Sequence, residues 1–323
     1  MKRFENDLQR IEHALNAVGK NQKPPSLYDP ISYLTGIGGK RIRPLLCLLG
    51  TRMFGGNVDT ALPAAIAIEL FHNFTLMHDD IMDKADVRRG QPTVHTRWSP
   101  SQAILSGDVT LVLAYEELLK IPVEVREKVI HQFNRTAIEV CEGQQYDLDF
   151  EKRNDVSEEE YLEMIKLKTS VLVAASVTIG AMIAGANDEQ VEKVYEYGLN
   201  IGLSFQLRDD LLDTFGDESF GKRIGGDILA DKKTYLLIRS MRMAGEAEKA
   251  ILDKHIGVMP LDPEVKVNEV KSVMETLAVA DETQKLAGDH YHVGMAALKE
   301  LSGHGVDVDD LSYLANLMLE RST

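Results

Sequence analysis

Residues 66–83 read IAIELFHNFTLMHDDIMD. Apolar side chains fall around much of the circumference this stretch would have as a helix. The spacing therefore predicts a helix packed on most of its sides. It ends in three carboxylates, Asp79, Asp80 and Asp83. Asp79 and Asp83 are four residues apart and share a face, while Asp80 points roughly 100° away. Like charges so placed repel one another, and an apolar helix adds partial desolvation to that penalty. The pattern predicts a central bundle helix whose end attracts a cation.

The same periodicity extends outward from this helix. Residues 2–18, 41–54, 60–84, 101–120, 123–150, 157–183, 188–215 and 232–244 read as helices, with two or three more after Pro263. Only ten prolines occur, none of them between Val123 and Met259, so strand-rich architectures are disfavoured. The 157–183 helix is also apolar on most sides. There is no solenoid repeat, and the chain reads as one all-α domain over residues 1–323. Two loops rich in glycine and charge, 35–43 and 217–233, belong at the surface.

Charge and composition narrow the function. Lys and Arg number 36 against 51 Asp and Glu, a formal charge of −15, which excludes nucleic-acid binding driven by bulk positive charge. No signal-type run opens the chain and no stretch of ~18 apolar residues stands unbroken, so a cytoplasmic protein without a membrane span is expected. Cys47 and Cys141 lack metal-ligand spacing and read as reduced core residues.

A second acidic cluster, Asp209-Asp210-Leu211-Leu212-Asp213, lies 130 residues after the first, again at the end of an apolar helix. If both clusters meet at one mouth of a bundle, their oxygen-only ligands select Mg²⁺, whose shell water and substrate phosphate would complete. Glu69-Leu-Phe-His72 matches one half of a di-iron carboxylate signature, but no other histidine has a glutamate three residues before it.

Basic residues stand beside the acidic clusters. Gly38-Gly39-Lys40-Arg41-Ile42-Arg43-Pro44 puts three cations at the start of a helix, where backbone N–H groups also favour anions. It departs from a P-loop at both ends. Arg88-Arg89-Gly90 supplies two guanidiniums suited to bidentate phosphate recognition. Lys168, beside Thr169 in an apolar helix, needs a partner. Gln206 precedes Asp209 by three residues, Lys222 follows Gly221, and Lys232-Lys233-Thr234 follows an aspartate-containing loop. An acidic protein with bases so placed is suited to neutralising a polyanion.

At these residues the chain resembles the trans-isoprenyl diphosphate synthases over nearly its whole length. The resemblance rests on Gly39-Lys40-Arg41-x-Arg43-Pro44, His72, the motif from Asp79 to Asp83, Arg88-Arg89-Gly90, Gly143-Gln144 and Lys168-Thr169. It continues through Phe205-Gln206, the motif from Asp209 to Asp213, Gly221-Lys222, and Lys232 with Thr234. One departure is Ala230-Asp231, where Glu-Gly is common before the lysine; another is Arg208 inside the second motif.

The resemblance implies an isoprenoid synthase helical bundle, with central helices around a deep prenyl-chain pocket, usually as a homodimer. It implies Mg²⁺-dependent head-to-tail condensation of isopentenyl diphosphate with dimethylallyl, geranyl or farnesyl diphosphate. Asp79, Asp83 and Asp209, with Asp213, would hold three Mg²⁺, and Asp80 would support them. Arg88, Lys168, Gln206, Lys222 and Lys232 would contact the allylic substrate with help from Thr169. Lys40, Arg43, His72 and Arg89 would hold isopentenyl diphosphate. The catalytic set is then Asp79, Asp80, Asp83, Arg88, Lys168, Asp209, Lys222 and Lys232.

Phe74 lies five residues before Asp79, and Phe71 a further turn back, depths at which a ring would floor the tail pocket. Phe74 followed by Thr75 resembles the geranylgeranyl pattern, a twenty-carbon product, with fifteen carbons as the alternative and longer chains less favoured. A terpene cyclase has no use for Lys40, Arg43 and Arg89. Noncatalytic partner subunits typically lose acidic ligands that are intact here.

Overall fold

The computed structural model describes residues 1–216 and 225–320, which are almost entirely helical. In chain order the helices are α1 Glu5–Leu15, α2 Pro25–Gly36, α3 Ile42–Met53, α4 Val58–Met82, α5 Val94–Arg97, α6 Pro100–Leu118, α7 Val123–Phe150 and α8 Glu158–Ile165. They continue as α9 Val171–Ile183, α10 Asp188–Phe215, α11 Gly226–Leu229, α12 Tyr235–Met243, α13 Glu246–His255, α14 Pro263–Thr276, α15 Val279–Gly303 and α16 Asp309–Glu320. One short antiparallel hairpin, β1 Val87–Arg88 and β2 Gln91–Pro92, follows α4, with Val87 opposite Pro92. The all-α reading and the long helices therefore stand.

Four helices were not legible in the sequence: α2, α13 and the single turns α5 and α11, which are too short to show a period. Proline and glycine punctuate 24–36, but Pro25 occupies the first helical turn of α2, where a missing N–H costs nothing. Helix α13 is short and follows Gly245, which masks its periodicity. Local signals fix several other ends. The Asn57 side chain caps α4, Ser157 and Glu160 form a reciprocal capping box on α8, and Thr234 caps α12.

The described residues form two compact units. The first comprises Met1–Phe133 and Ala175–Glu192. Here α3 and α6 pack on α4, whose residues from Ala64 to Phe71 are all buried. Glycines bring backbones close: a Cβ on Gly180 would lie 2.0 Å from the Cys47 carbonyl oxygen, and the Thr51 hydroxyl donates to the Gly180 carbonyl at 3.0 Å. The second unit comprises Asn134–Ala174 and Lys193–Thr323. One cluster there joins Phe150, Tyr161, Leu207, Tyr235 and Ile238; another joins Ile228, Leu236, Leu237, Val270 and Met274.

Between α8 and α9, Lys166–Ser170 form a π-helical turn, a feature concentrated at functional positions. It is crowded from two sides, since a Cβ on Gly143 would meet the Lys168 nitrogen at 2.3 Å and one on Gly202 the Ser170 Cα at 2.7 Å. Among the described residues, Val58–Met82 and Glu158–Ile183 are long and apolar enough to cross a membrane. Both are mostly buried, as core helices are. Cys47 is buried as expected, but Cys141 is exposed, because α7 turns that side outward.

Candidate active site

In the first unit, the acidic end of α4 divides by face as the helical spacing requires. Asp80 is buried, whereas Asp79 is half-buried and Asp83 exposed. The Arg88 guanidinium, carried by β1, donates through Nε to both Asp80 oxygens at 2.9 and 3.0 Å and reaches Oδ1 through Nη2 at 2.7 Å. Arg88 thus neutralises the inward carboxylate. Asp79 and Asp83 stand at the negative end of a 25-residue helix with no basic residue in its last turn. Both the helix dipole and their mutual repulsion favour a bound cation there.

Two turns back on α4, His72 meets the basic loop. Arg43 Nη1 lies 3.4 Å from His72 Nε2, and burial together with Arg43, Arg89, Arg88 and Arg41 pushes the imidazole pKa well down. His72 is therefore neutral and accepts from Arg43. Arg89 packs against Gly39, where a Cβ would be 2.7 Å from its Nη1, and donates to the Gly38 carbonyl. Burial and neighbouring charge lower the pKa of both Arg43 and Arg89, and Arg43 Nε is buried without a hydrogen-bond partner. Lys40 is exposed on the same loop. The acid that acts on Arg43 and Arg89, Glu69, is itself paired with Arg41 at 2.7 Å, so one carboxylate is set against three guanidiniums and the cluster is suited to an anion.

Arg41 differs from its basic neighbours. It is buried with φ +49°, and its guanidinium donates to Glu12 at 2.8 Å, Glu69 at 2.7 Å and the Thr35 carbonyl at 2.5 Å. Glu69 is thus engaged as the ion-pair partner of Arg41 rather than offered as a ligand to a di-iron site. Arg41 ties the loop bearing Lys40 and Arg43 to α1 and α4. Nothing in the sequence separates its role from theirs.

In the second unit, a chain of hydrogen bonds holds the middle of the other acidic motif. Thr169 donates to Gln206 at 3.1 Å, Gln206 donates to Asp210 at 3.1 Å, and the Tyr161 hydroxyl donates to the other Asp210 oxygen. Burial first, with the Asp227 and Asp209 charges, pushes the Asp210 pKa up to about 8. Asp209 and Asp213 are half-buried, and Asp213 accepts the Asp227 N–H at 2.9 Å. The partner that Lys168 requires is Asp147 on α7, at 2.5 Å. Gln144, on the same helix, has both amide atoms buried without hydrogen-bond partners. Lys232 is half-buried; Lys222 lies outside the described residues.

Phe71 and Phe74 belong to an aromatic cluster in the first unit. Phe71 is buried, with its ring 5.8 Å from Phe74 and 5.4 Å from Phe133, which in turn meets Tyr115 at 5.4 Å. Phe74 stacks edge-on against His78 at 4.7 Å, and His78 sits over Gly107 of α6. The Thr75 hydroxyl turns back to the His72 carbonyl at 2.8 Å. His78 joins the cluster one turn along α4 from Phe74, whereas Tyr115 and Phe133 join it from positions that periodicity alone does not connect.

Residues 24–277 match the polyprenyl synthetase family. The chain belongs to that family. Among its relatives, a geranylgeranyl diphosphate synthase of Methanosarcina mazei is 45% identical over 241 residues, 73% of this chain and 74% of that protein. One from Sulfolobus acidocaldarius is 37% identical over 338 aligned positions, covering 99% of each. A crystal structure of a geranylgeranyl pyrophosphate synthase superposes with a TM-score of 0.92 at 41% identity, covering 99% of this chain and 98% of the other.

A polyprenyl synthetase is a prenyltransferase that joins isopentenyl diphosphate to an allylic diphosphate. Its donors here suit Mg²⁺. Asp79 and Asp83 offer hard oxygen ligands one turn apart, and Asp80, already paired, leaves much of the coordination shell to water and phosphate oxygens.

Proposed function

We propose that this polyprenyl synthetase makes geranylgeranyl diphosphate, with farnesyl diphosphate as the alternative product, using Mg²⁺ held by Asp79, Asp83, Asp209 and Asp213. The observation that carries the reading lies on one face of α4. His72, inside its guanidinium cluster, precedes Asp79 by seven residues, two helical turns, or roughly 10 Å along the axis. An anion bound directly and an anion bound through a cation would lie side by side. Two diphosphates need such a pair of sites, whereas a terpene cyclase needs one.

In this reading Arg43, neutral His72, Arg89 and Lys40 hold isopentenyl diphosphate. Arg88, Lys168, Gln206, Lys222 and Lys232 contact the allylic diphosphate, with Thr169 assisting, and Asp80 supports the metal site through Arg88. Bound Mg²⁺ supplies Lewis-acid stabilisation of negative charge on the departing diphosphate. The C1–O bond breaks with its electron pair passing to diphosphate, and the alkene pair of isopentenyl diphosphate forms the new carbon–carbon bond. A proton then leaves to the departed diphosphate. No protein nucleophile is required; the side chains orient both substrates and exclude water from the allylic cation.

We read residues 1–323 as one catalytic domain of a cytoplasmic homodimer. Leu105, Val112 and Leu119 recur every seven residues and are 57%, 58% and 50% exposed, an apolar strip that supports pairing of two copies. Sedimentation equilibrium should give twice the chain mass; a monomer at assay concentrations rejects the homodimer.

Product analysis tests the activity. With Mg²⁺, isopentenyl diphosphate and dimethylallyl, geranyl or farnesyl diphosphate, chromatography should show a twenty-carbon main product. Chelation should abolish it and added Mg²⁺ restore it. Phe74→Ala, which opens the aromatic floor, should shift the product to longer chains. An unchanged product distribution removes Phe74 as the floor, and no condensation with any starter rejects the enzyme reading.

A further inference from the structure

We infer that Lys266 of α14 is a positioning residue for the loop that carries Lys232: its buried ammonium holds Asp231 in a left-handed turn from which Lys232 follows. This rests on the reading of Lys232 as a contact of the allylic diphosphate. Lys266 has a side chain with no exposed surface, and its Nζ lies 2.7 Å from Asp231 Oδ1. Asp231 has φ +54°, a conformation glycine adopts without strain and other residues rarely hold unless their surroundings enforce it. A lysine so enclosed is equally costly without its anion. Each residue thus supplies what the other requires.

The turn is connected to the acidic motif. The Asp227 N–H donates to the Asp213 carboxylate at 2.9 Å, and the Asp227 carbonyl accepts the Lys232 N–H at 3.0 Å. Asp231 N–H closes the intervening turn onto the Ile228 carbonyl at 3.2 Å, and Lys233 Nζ reaches the Asp231 carbonyl at 3.5 Å. The base of this segment is seated on α14, where a Cβ on Gly225 would meet Val267 at 2.6 Å. Lys266 therefore fixes one side of a backbone relay whose other side is Asp213. Without its ammonium, the Asp231 carboxylate loses its hydrogen-bonded cation and is drawn toward Lys233 instead, and the left-handed turn loses its anchor.

Lys266→Met should raise the KM for the allylic diphosphate about tenfold while leaving the KM for isopentenyl diphosphate within about twofold. Lys266→Met/Asp231→Gly should bring the allylic KM back to within about threefold of the parent, because glycine takes the turn and removes the stranded carboxylate. Folded Lys266→Met with an unchanged allylic KM overturns the proposal. So does a double variant no better than the single one, which would mark a packing role only. If Lys266→Met does not fold, a folded double variant near the parental KM supports the proposal, and one raised about tenfold, or itself unfolded, rejects it. Lys232→Ala separates the underlying reading: a raised allylic KM there with an indifferent Lys266→Met sinks only the positioning role. An unchanged KM in Lys232→Ala removes both.

Discussion

Asp79→Ala is expected to lower steady-state turnover by at least ~10²-fold at saturating Mg²⁺, the scale for losing a group that stabilises charge in a transition state. Its neighbours cannot substitute. The Asp80 carboxylate is turned inward and gripped by Arg88 at 2.7–3.0 Å, so it can move outward only by breaking a buried ion pair. Asp83 remains, but a single carboxylate at an exposed helix end binds a divalent ion weakly. Near-parental turnover would count against the metal role of Asp79.

The readable parts of this molecule are those governed by interactions close in sequence. The period of residues 66–83 is a local property, so both the all-round burial of α4 and the separation of Asp80 from Asp79 and Asp83 could be drawn from it. A requirement could also be read without its solution. An apolar helix around Lys168 demands a counter-charge, but Asp147 is 21 residues earlier on another helix. The pairing of Lys266 with Asp231 spans 35 residues and depends on a turn whose φ is not encoded by any periodicity. Phe74 was visible as a ring at a particular depth, whereas Phe133 and Tyr115 join its cluster only after α6 and α7 are placed. Lys222, singled out by its motif, lies outside the described residues. Helix α2 was hidden because proline signals a break without distinguishing a loop from a first turn.

Arg41 is the instance with the largest structural consequence. In sequence it is one of three cations in a basic loop, and Arg41→Met would pass for the loss of a surface charge worth under ~1 kcal/mol. Its side chain is instead 1% exposed, between Glu12 and a Glu69 that is itself 4% exposed. Methionine fills much of the same volume but leaves the Glu69 carboxylate and the Thr35 carbonyl buried without their donor. Breaking a buried pair from one side costs about 3–5 kcal/mol. For a chain of this size that corresponds to a fall in Tm of about 4–7 °C. Glu12→Gln is the comparison, because Glu12 is 40% exposed and glutamine can still accept from Arg41, so its cost should stay below ~1 kcal/mol. Calorimetric melts of both variants decide the matter. Equal, small shifts would mean that Arg41 behaves as a surface cation and that Glu69 finds its charge elsewhere; a large loss confined to Arg41→Met would place it as the tie between the basic loop and α4.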